Sequence, residues 1–324
     1  MEILIRGFGS VAKKYVNIFS SNKEMNLTIL TTENRIEREI YPQVSFFNLN
    51  EPLQMNYDLL IIANNTLDHI ESFNRLKNLT KTILIEKPLS HNAESILASG
   101  VLEYKGEQFV SSQIRFYSSY PEMQQSMKDL GRILKVSIEC LSWLPNWRPG
   151  RNTREGYWSD PVQGGVVRDL VHELDYCTQL FGFPSKVRCS VNQNFDLLNS
   201  IVDSEAFIEW KTTICAEISL HLSYSHKIAK RSAYIEGEKG SLEWNLLTGE
   251  VTLIHAKSTV VDKSIIPTSQ IQALEAQLEA VFDNTLHYKL ASKHEGFKVV
   301  CLVDALLLSA KINEEVEVNY FGQV

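Results

Sequence analysis

The sequence has little that would tie the protein to a membrane, a disulfide framework or a polyanion. No stretch approaches the ~18 consecutive apolar residues that a membrane span needs. The five cysteines are scattered and form no Cys-x-x-Cys pair, which argues against a disulfide scaffold or a metal site and favours a reducing compartment. Acidic residues outnumber basic ones by 39 to 32, a formal charge of −7, which argues against nucleic acid and anionic membranes as partners.

The first residues have no signal-peptide layout, because a strand-like apolar run already occupies positions 3–5. We therefore expect a cytoplasmic protein. The chain has 324 residues, of which 44% are hydrophobic and 22% charged. This is the composition of a globular protein and the length of about two domains.

The first part, residues 1–117, alternates short apolar runs with amphipathic helical stretches. The runs predicted as strands are Ile3–Ile5, Leu27–Leu30, Leu59–Ala63, Thr82–Ile85 and Phe109–Ser112. Because they are apolar at almost every position, they suit strands that are buried on both faces of a parallel sheet. Strands that alternate with helices predict βαβ units and a doubly wound, Rossmann-type α/β domain.

The second part, residues 118–324, has longer runs, several of which alternate apolar and polar residues at a period of two. These runs are Ile133–Trp143, Lys186–Asn194, Glu205–Trp210, Ile214–Tyr224 and Ala233–Glu236. The alternation predicts antiparallel strands with one face in water. Helices are predicted near Pro121–Leu130, Gly165–Phe181, Ser269–Leu286 and Glu295–Ile312. We expect an α+β domain.

The segment Gly7-Phe8-Gly9-Ser10-Val11-Ala12 follows the first predicted strand and begins the first predicted helix. In this setting G-x-G-x-x-A indicates a dinucleotide site. Gly7 permits the tight turn, Gly9 lets the backbone approach a pyrophosphate and Ala12 lets the helix pack close to the strand. The helix N terminus offers N–H groups to the anion. The alternative is a glycine turn that binds nothing.

The end of the second strand bears on the choice between NAD and NADP. In Leu30-Thr31-Thr32-Glu33-Asn34-Arg35 no carboxylate directly follows the strand, where NAD-binding folds place one for the ribose. Thr31, Thr32 and Arg35 would tolerate a 2′-phosphate, so NADP is slightly favoured. Two alternatives stay open, since Glu33 could bind the ribose diol and Arg35 could be an ordinary surface residue.

Polar residues after two further strands extend the predicted cofactor edge, because ligands of open α/β sheets bind at the carboxyl ends of the strands. These residues are Asn64, Asn65, Thr66, His69, Glu86, Lys87 and Pro88. Thr66 could instead cap a helix. Pro88 fixes the backbone beside Lys87 and could be cis, and the Lys87 ammonium could stabilise a developing alkoxide. The alternative is that Glu86 and Lys87 form an exposed strand end.

A second group of candidates lies in the helix predicted after Gly164 and Gly165. Asp169 and His172 are three residues apart and would share one helix face. A histidine oriented by a carboxylate is a good general acid–base unit, although a core or surface histidine is the alternative. Two glycines at the start of a helix indicate close approach by a ligand or by backbone.

The loop before that helix combines three arginines with three aromatic residues. Arginines bind planar anions, and aromatic rings can stack on a sugar or base. We predict substrate contacts from Trp147, Arg148, Arg151, Arg154 and Tyr157. The alternative is a solvated loop whose arginines pair with acidic residues elsewhere.

The glycine motif, Glu86-Lys87-Pro88 and the Asp169…His172-x-x-Asp175 helix together resemble the Gfo/Idh/MocA oxidoreductase family over nearly the whole chain. The resemblance implies a Rossmann domain followed by an open-faced, mostly antiparallel sheet domain that often forms dimers or tetramers. It also implies oxidation or reduction of sugars or cyclitols, with Lys87, Asp169 and His172 as the reactive residues. The loop resembles that of members acting in surface-polysaccharide sugar pathways.

Some positions depart from the family pattern. The family spaces the aspartate and histidine four residues apart rather than three. Gln113, a predicted cofactor contact, replaces an expected Asn, and Tyr117 stands where His is common. Arg115, a predicted substrate contact, resembles the family's crossing into its second domain.

We therefore predict NAD(P)-dependent hydride transfer to or from a hydroxyl-bearing carbon of a sugar, anionic or nucleotide-linked. His172 would move the hydroxyl proton and Lys87 would polarise the oxygen. Two other functions stay open at this point. One is a dinucleotide-sensing regulator without turnover, and the other is a glycosidase that uses NAD transiently.

Overall fold

A computed structural model describes residues 1–320, except 23, 33–39, 54–55, 148–149, 151, 199–200 and 257–260. The chain forms two compact units. The first contains Met1–Ser112 and Leu274–Phe297, and the second contains Gln113–Ala273 and Lys298–Val324. The boundary predicted between residues 117 and 118 places the segment Leu274–Phe297 in the second domain, whereas it belongs to the first unit. The apolar pattern of a helix does not reveal which core the helix joins.

The first unit contains a parallel sheet. Its strands are β1 (Glu2–Arg6), β2 (Asn26–Leu30), β3 (Val44–Phe47), β4 (Leu59–Ile62), β5 (Thr82–Ile85) and β6 (Glu107–Val110). They are ordered β6-β5-β4-β1-β2-β3, and each neighbouring pair is parallel. The predicted Rossmann-type domain is confirmed. The strand order reverses between β1 and β4, where ligands bind in sheets of this kind.

The helices that connect these strands within the described residues are α1 (Ser10–Ser20), α2 (His69–Leu76) and α3 (Ala93–Leu97). Helix α1 buries Ala12, Tyr15, Val16 and Phe19, the apolar stripe that the 3.6-residue period predicts. Both the strands and this stripe supply the core of the first unit, in which the four residues of β4 are fully buried.

The second unit contains a mostly antiparallel sheet. Its strands include β7 (Ile133–Trp143), β8 (Lys186–Asn192), β9 (Glu205–Trp210), β10 (Glu217–Ser223), β11 (Ser225–Gly237), β12 (Gly240–Asn245), β13 (Glu250–His255) and β14 (Val261–Ile265). They are ordered β14-β13-β12-β11-β7-β10-β9-β8, and only β7 and β10 pair in parallel among these strands. Ile218, Leu220 and Leu222 are buried, whereas Ser219 and His221 between them are only half-buried and Glu217 before them is exposed. The predicted sheet with one wet face is confirmed.

The helices of the second unit include α4 (Tyr120–Met127), α5 (Leu144–Trp147), α6 (Val166–Asp169) and α7 (Val171–Phe181). The single helix predicted over residues 165–181 is therefore wrong. Leu170, with φ −87° and ψ 26°, separates α6 from α7. Helix α7 ends at Phe181, and the φ of +84° at Gly182 suits the glycine that commonly follows a helix.

The last elements are α8 (Gln270–Phe282), β15 (Ala291–Ser292), α9 (Lys293–Ile312) and β16 (Val316–Glu317). Strand β15 adds an antiparallel edge to β6, and β16 does the same for β8. Both helices had been predicted from the sequence. Across the described ranges, no helix combines the length and the apolar character needed to cross a membrane.

Candidate active site

The turn after β1 leaves the N terminus of α1 open. Gly7 has φ +106°, and a Cβ there would lie 2.6 Å from the carbonyl oxygen of Ala63, so the position requires glycine. Gly9 precedes the helix without a side-chain cap, and a Cβ there would meet nothing within 4 Å. The space beside Gly9, directly before the first turn of α1, is therefore open, and an anion can bind there.

The remaining residues of this motif divide between the core and the surface. Phe8 is buried and packs edge-to-face against Tyr41 and Phe46. Ala12 is fully buried, whereas Ser10 is exposed and Val11 half-buried. After β2, Thr31 is buried and Thr32 is exposed. Arg35 lies outside the described residues.

Asn64 and His69 connect the ends of β4 and β5. His69 is buried, with Nδ1 3.0 Å from the Pro88 carbonyl oxygen and Nε2 3.2 Å from that of Asn64. Burial lowers the pKa of His69 to about 4, so the imidazole is neutral at pH 7. Asn64 Nδ2 donates to Ser72 at 3.0 Å, and its Oδ1 is a buried acceptor without a partner among the described residues. His69 thus lies between the backbone carbonyls that follow β4 and β5, and Asn64 Oδ1 is available to accept a hydrogen bond from a ligand.

Two more predicted residues follow Asn64. Asn65 is exposed and precedes a short 3-10 turn at Thr66–Asp68. Thr66 is half-buried and lies inside that turn. The alternative that Thr66 caps a helix is therefore wrong, because the turn begins at Thr66 itself.

The end of β5 carries a buried carboxylate beside the candidate lysine. Glu86 is 6% exposed and accepts a 2.6 Å hydrogen bond from the hydroxyl of Tyr15. Burial and the Glu86 carboxylate hold the pKa of Tyr15 well above its usual value. Lys87 and Pro88 are half-buried, and the peptide between them is cis, as the sequence suggested. The alternative of an exposed strand end is wrong for Glu86.

These residues of the first unit fit a dinucleotide. The open N terminus at Gly9 can take a pyrophosphate, and the unpaired Asn64 Oδ1 can accept a hydrogen bond from a hydroxyl or an amide. At Gly7 the backbone after β1 lies so close to the backbone of Ala63 that no side chain fits between them. The sequence motif and the geometry therefore point to the same ligand class.

In the second unit, Asp169 is bracketed by two tyrosines. Its Oδ1 accepts from the Tyr157 hydroxyl at 3.0 Å, and its Oδ2 accepts from the Tyr224 hydroxyl at 2.8 Å. Burial and Asp169 hold the pKa of Tyr224 well above its usual value. His172 is half-buried in the first turn of α7. The prediction that Asp169 and His172 share a face of one continuous helix is wrong, because Leu170 interrupts it.

Gly164 and Gly165 make room for the protein itself. Gly165 has φ +94°, and a Cβ there would lie 2.2 Å from Asp203 Oδ1. The Asp203 carboxylate accepts from the Val167 backbone N–H at 2.8 Å, and burial raises the pKa of Asp203. The groups that approach the two glycines closely thus belong to the protein. At Gly165 the close group is the buried Asp203 carboxylate, and at Gly164 it is the backbone at Asp160, which a Cβ would strike.

Arg115 and Asp175 form a buried two-point ion pair. Arg115 Nη2 and Nε lie 2.7 and 3.0 Å from the two oxygens of Asp175, and the side chains are 5% and 13% exposed. The guanidinium predicted to contact substrate is therefore anchored inside the second unit. Gln113, the predicted cofactor contact, is half-buried and begins the same turn, Gln113–Phe116.

The described part of the arginine-rich loop folds onto the segment after β8. Arg154 Nη2 donates to the carbonyl of Asp196 at 3.1 Å, which differs from the predicted alternative of pairing with an acidic side chain. Trp147 is 38% exposed and stands edge-on to Tyr224. Tyr157 is 37% exposed. Arg148 and Arg151 lie outside the described residues.

Two residues of these clusters were missed by the sequence analysis. Tyr15 lies on the buried stripe of α1, and Tyr224 stands at the end of the strand predicted over Ile214–Tyr224. Both are separated by more than fifty residues from the carboxylates that they contact. The sequence signal, a polar hydroxyl on an otherwise apolar face, indicates that each needs a partner without naming it.

Comparison with known proteins agrees with this architecture. Residues 123–243 match the family model described as the GFO/IDH/MocA C-terminal domain, and the resemblance to the Gfo/Idh/MocA family is thereby confirmed. A levoglucosan dehydrogenase solved with NADH and levoglucosan has a TM-score of 0.82 at 16% identity, over 98% of this chain and 99% of that chain.

A second solved structure is similar to the same extent. An oxidoreductase from Agrobacterium radiobacter, in complex with NAD+, L-tartaric acid and magnesium, has a TM-score of 0.80 at 13% identity, over 98% of each chain. At such identities these likenesses show the fold. A comparison with curated protein sequences gives no match.

Proposed function

We propose that the protein is an NAD(P)-dependent oxidoreductase that transfers a hydride to or from a hydroxyl-bearing carbon of a sugar. The observation that carries the proposal is the glycine turn of the first unit, where Gly7 is sterically required and Gly9 leaves the N terminus of α1 open. Lys87 follows β5 at the carboxyl edge of the same sheet. A levoglucosan dehydrogenase of similar fold has been solved in complex with NADH and levoglucosan. That likeness supports hydride transfer between a nicotinamide cofactor and a sugar.

We assign the steps of binding and proton transfer to four parts of the chain. The α1 N terminus binds the pyrophosphate, and Asn64 Oδ1 accepts a hydrogen bond from the bound dinucleotide. Lys87 donates a hydrogen bond to the reacting oxygen and stabilises its negative charge. His172 takes up or returns the hydroxyl proton. When bound, the nicotinamide supplies the hydride chemistry.

We further propose that the substrate is an anionic or nucleotide-linked sugar. Trp147 and Tyr157, each more than a third exposed, offer rings that can stack on a sugar or base. Arg154 is fixed by the Asp196 carbonyl and keeps donors for an anion. From their place in the sequence, we propose the same role for Arg148 and Arg151.

Three further features belong to this proposal. NADP is favoured slightly over NAD because hydroxyls rather than a carboxylate follow β2. A homodimer or homotetramer would form through the outer face of the second sheet, which carries Phe207, His221 and Tyr234. The scattered cysteines of the sequence favour the cytoplasm.

The proposal is tested by cofactor turnover. The purified protein would be incubated with NAD+ and NADP+ and a panel of neutral sugars, sugar acids and nucleotide sugars, while absorbance at the nicotinamide band is followed. We expect net reduction with at least one sugar, and a loss of about 100-fold or more in kcat in Lys87→Met and in His172→Asn, with unchanged circular dichroism. Sugar hydrolysis without net cofactor turnover would identify a glycosidase instead, and cofactor binding without any turnover would favour a regulator.

A further inference from the structure

We propose that Arg6 binds the 2′-phosphate of NADP and determines the cofactor preference of the protein. This inference rests on the proposed function, because it concerns the same dinucleotide. Arg6 is the last residue of β1 and directly precedes Gly7. The three residues before it, Ile3, Leu4 and Ile5, are fully buried aliphatic side chains, so a cation at this point of the strand needs a physical reason.

The sheet register fixes where Arg6 lies. Arg6 pairs with Leu30 at the end of β2 and with Ile62 at the end of β4. The chain continues from these strands into Thr31 and toward Asn64, so Arg6 lies at the carboxyl edge, between the two segments that a dinucleotide approaches. In folds of this kind the segment after β2 reads the adenosine ribose, and an arginine nearby accommodates a 2′-phosphate.

The guanidinium of Arg6 reaches the end of β2. Its Nη1 donates to the Leu30 carbonyl at 3.3 Å, which is the one hydrogen bond that it makes within the described residues. Arg6 is 8% exposed, and none of its nitrogens is among the fully buried, unpaired atoms of the described chain. The donors that Leu30 does not use therefore lie on the accessible part of the side chain.

The surroundings leave this cation only partly compensated. Burial lowers the pKa of Arg6 and Arg75 adds to that effect, whereas Asp68 and Glu71 oppose it. Both carboxylates act through space rather than through a hydrogen bond. A buried cation with a single long hydrogen bond costs free energy, and a phosphate that accepts two charge-assisted N–H bonds would offset that cost.

A phosphate explains these features better than a ribose diol does. The diol of NAD is bound in related folds by a carboxylate that accepts from its hydroxyls, and a guanidinium cannot accept. Thr32, which is exposed after β2, adds a hydroxyl that can donate to a phosphate oxygen. Arg6 and this hydroxyl are therefore both donors suited to the dianion.

The experiment compares two cofactor fragments that differ only in the 2′-phosphate. Binding of 2′,5′-ADP and of 5′-ADP to the full chain would be measured by titration calorimetry, for wild type, Arg6→Met and Arg6→Lys. We expect wild type to bind 2′,5′-ADP about tenfold or more tightly than 5′-ADP, the range of a charge-assisted hydrogen bond. Arg6→Met should abolish that difference while 5′-ADP changes by less than about twofold. Arg6→Lys should retain part of it, because a lysine keeps the charge without the planar fork.

The matched control is Arg75→Met. Arg75 is an exposed arginine of α2 that donates to the Leu49 carbonyl, so its removal takes the same charge from the same unit. Retained preference for 2′,5′-ADP in this variant is expected. Equal affinity of wild type for both fragments, equal weakening of both by Arg6→Met, or the same loss in Arg75→Met would each overturn the proposal. Failure of folded wild type to bind either fragment would overturn the cofactor function as well, which separates the two failures.

Discussion

Two tyrosine hydroxyls of unequal surroundings converge on the carboxylate of Asp169. Tyr224 is fully buried and also lies 3.3 Å from the Gly165 carbonyl oxygen, whereas Tyr157 is 37% exposed. Tyr224 thus orients Asp169 from within the protein, and Tyr157 can exchange its bond with water or with a ligand. At the scale of the residue, the Asp169 carboxylate is positioned by two tyrosines that lie outside α6.

Replacing Tyr224 by Phe should therefore cost more stability than replacing Tyr157 by Phe. Loss of the buried donor leaves a charged acceptor short of one hydrogen bond, a cost of about 2 kcal/mol. At Tyr157 water can take the place of the hydroxyl, and the cost should stay below about 0.5 kcal/mol. Urea unfolding of both variants measures the difference, and equal losses would contradict the assigned roles.

His69 predicts a specific dependence of stability on pH. Its pKa falls from 6.5 to about 4 on folding because the imidazole is buried. The unfolded chain therefore binds the proton first as the pH falls. The stability from neutral His69 is complete above about pH 6.5 and is lost progressively toward pH 4, with about 2 kcal/mol gone at pH 5.

The matched variant is His69→Gln, whose side chain does not titrate. The fall in unfolding free energy between pH 7 and pH 5 should be about 2 kcal/mol smaller in this variant than in wild type. The carboxylates of the protein contribute equally to both chains. An identical fall in the two proteins would show that His69 is not held neutral by burial.

What the sequence predicts at this scale follows from local patterns. Gly7, Gly9 and the Lys87-Pro88 step could be identified because their roles depend on backbone and neighbours in the chain. The partners of Glu86 and Asp169 could not, because Tyr15 and Tyr224 reach them across the fold. A buried hydroxyl shows that a partner is needed, and only the packing shows which one.

At the scale of the element, the two glycines of the turn after β1 have different roles. Gly7 is required by the packing of the backbone, whereas Gly9 leaves space for a ligand. Gly7→Ala should destabilise the first unit by more than about 1 kcal/mol, because the residue has φ +106° and its Cβ would strike the Ala63 carbonyl. Gly9→Ala should keep the stability of wild type within about 0.5 kcal/mol, since a Cβ there meets nothing within 4 Å. Thermal unfolding compares the two, and a larger loss at Gly9 would contradict the described turn.

Helices and strands with a strong period were predictable, and interruptions were not. The apolar run of β1 and the stripe of α1 match the structure because burial imposes their periods. The break at Leu170 was missed because Val166–Asp169 and Val171–Phe181 share one apolar pattern across it. Strand β3 was missed because four residues with a polar Ser45 give too short a signal.

At the scale of the whole molecule, the chain returns late to its first unit. The segment Leu274–Phe297 belongs with residues 1–112, and β15 extends the first sheet beside β6. Helices α8 and α9 were predicted as elements, but their assignment depends on contacts with distant residues. A domain boundary predicted from the sequence therefore marks where the chain first leaves the first unit, but it does not show that a later segment rejoins that unit.

The proposed oligomer gives a prediction for the intact protein. Light scattering should report the mass of a dimer or a tetramer. Phe207→Asp should lower that mass, because Phe207 is 43% exposed on the outer face of the second sheet and a carboxylate without a full set of partners is costly to bury in an interface. Phe195→Asp is the control, as Phe195 is 57% exposed in the turn after β8. A monomeric wild type, or the same shift in both variants, would contradict the proposal.

The most direct test of the proposed function is the binding of reduced cofactor at the glycine turn. Nicotinamide fluorescence would be followed as NADH and NADPH are titrated into wild type and Gly9→Arg, with folding checked by circular dichroism. We expect saturable binding to wild type, tighter for NADPH, and its loss in Gly9→Arg, whose side chain would fill the open space at the α1 N terminus. Absence of binding to folded wild type, or equal binding by Gly9→Arg, would contradict the assignment of a dinucleotide-dependent oxidoreductase.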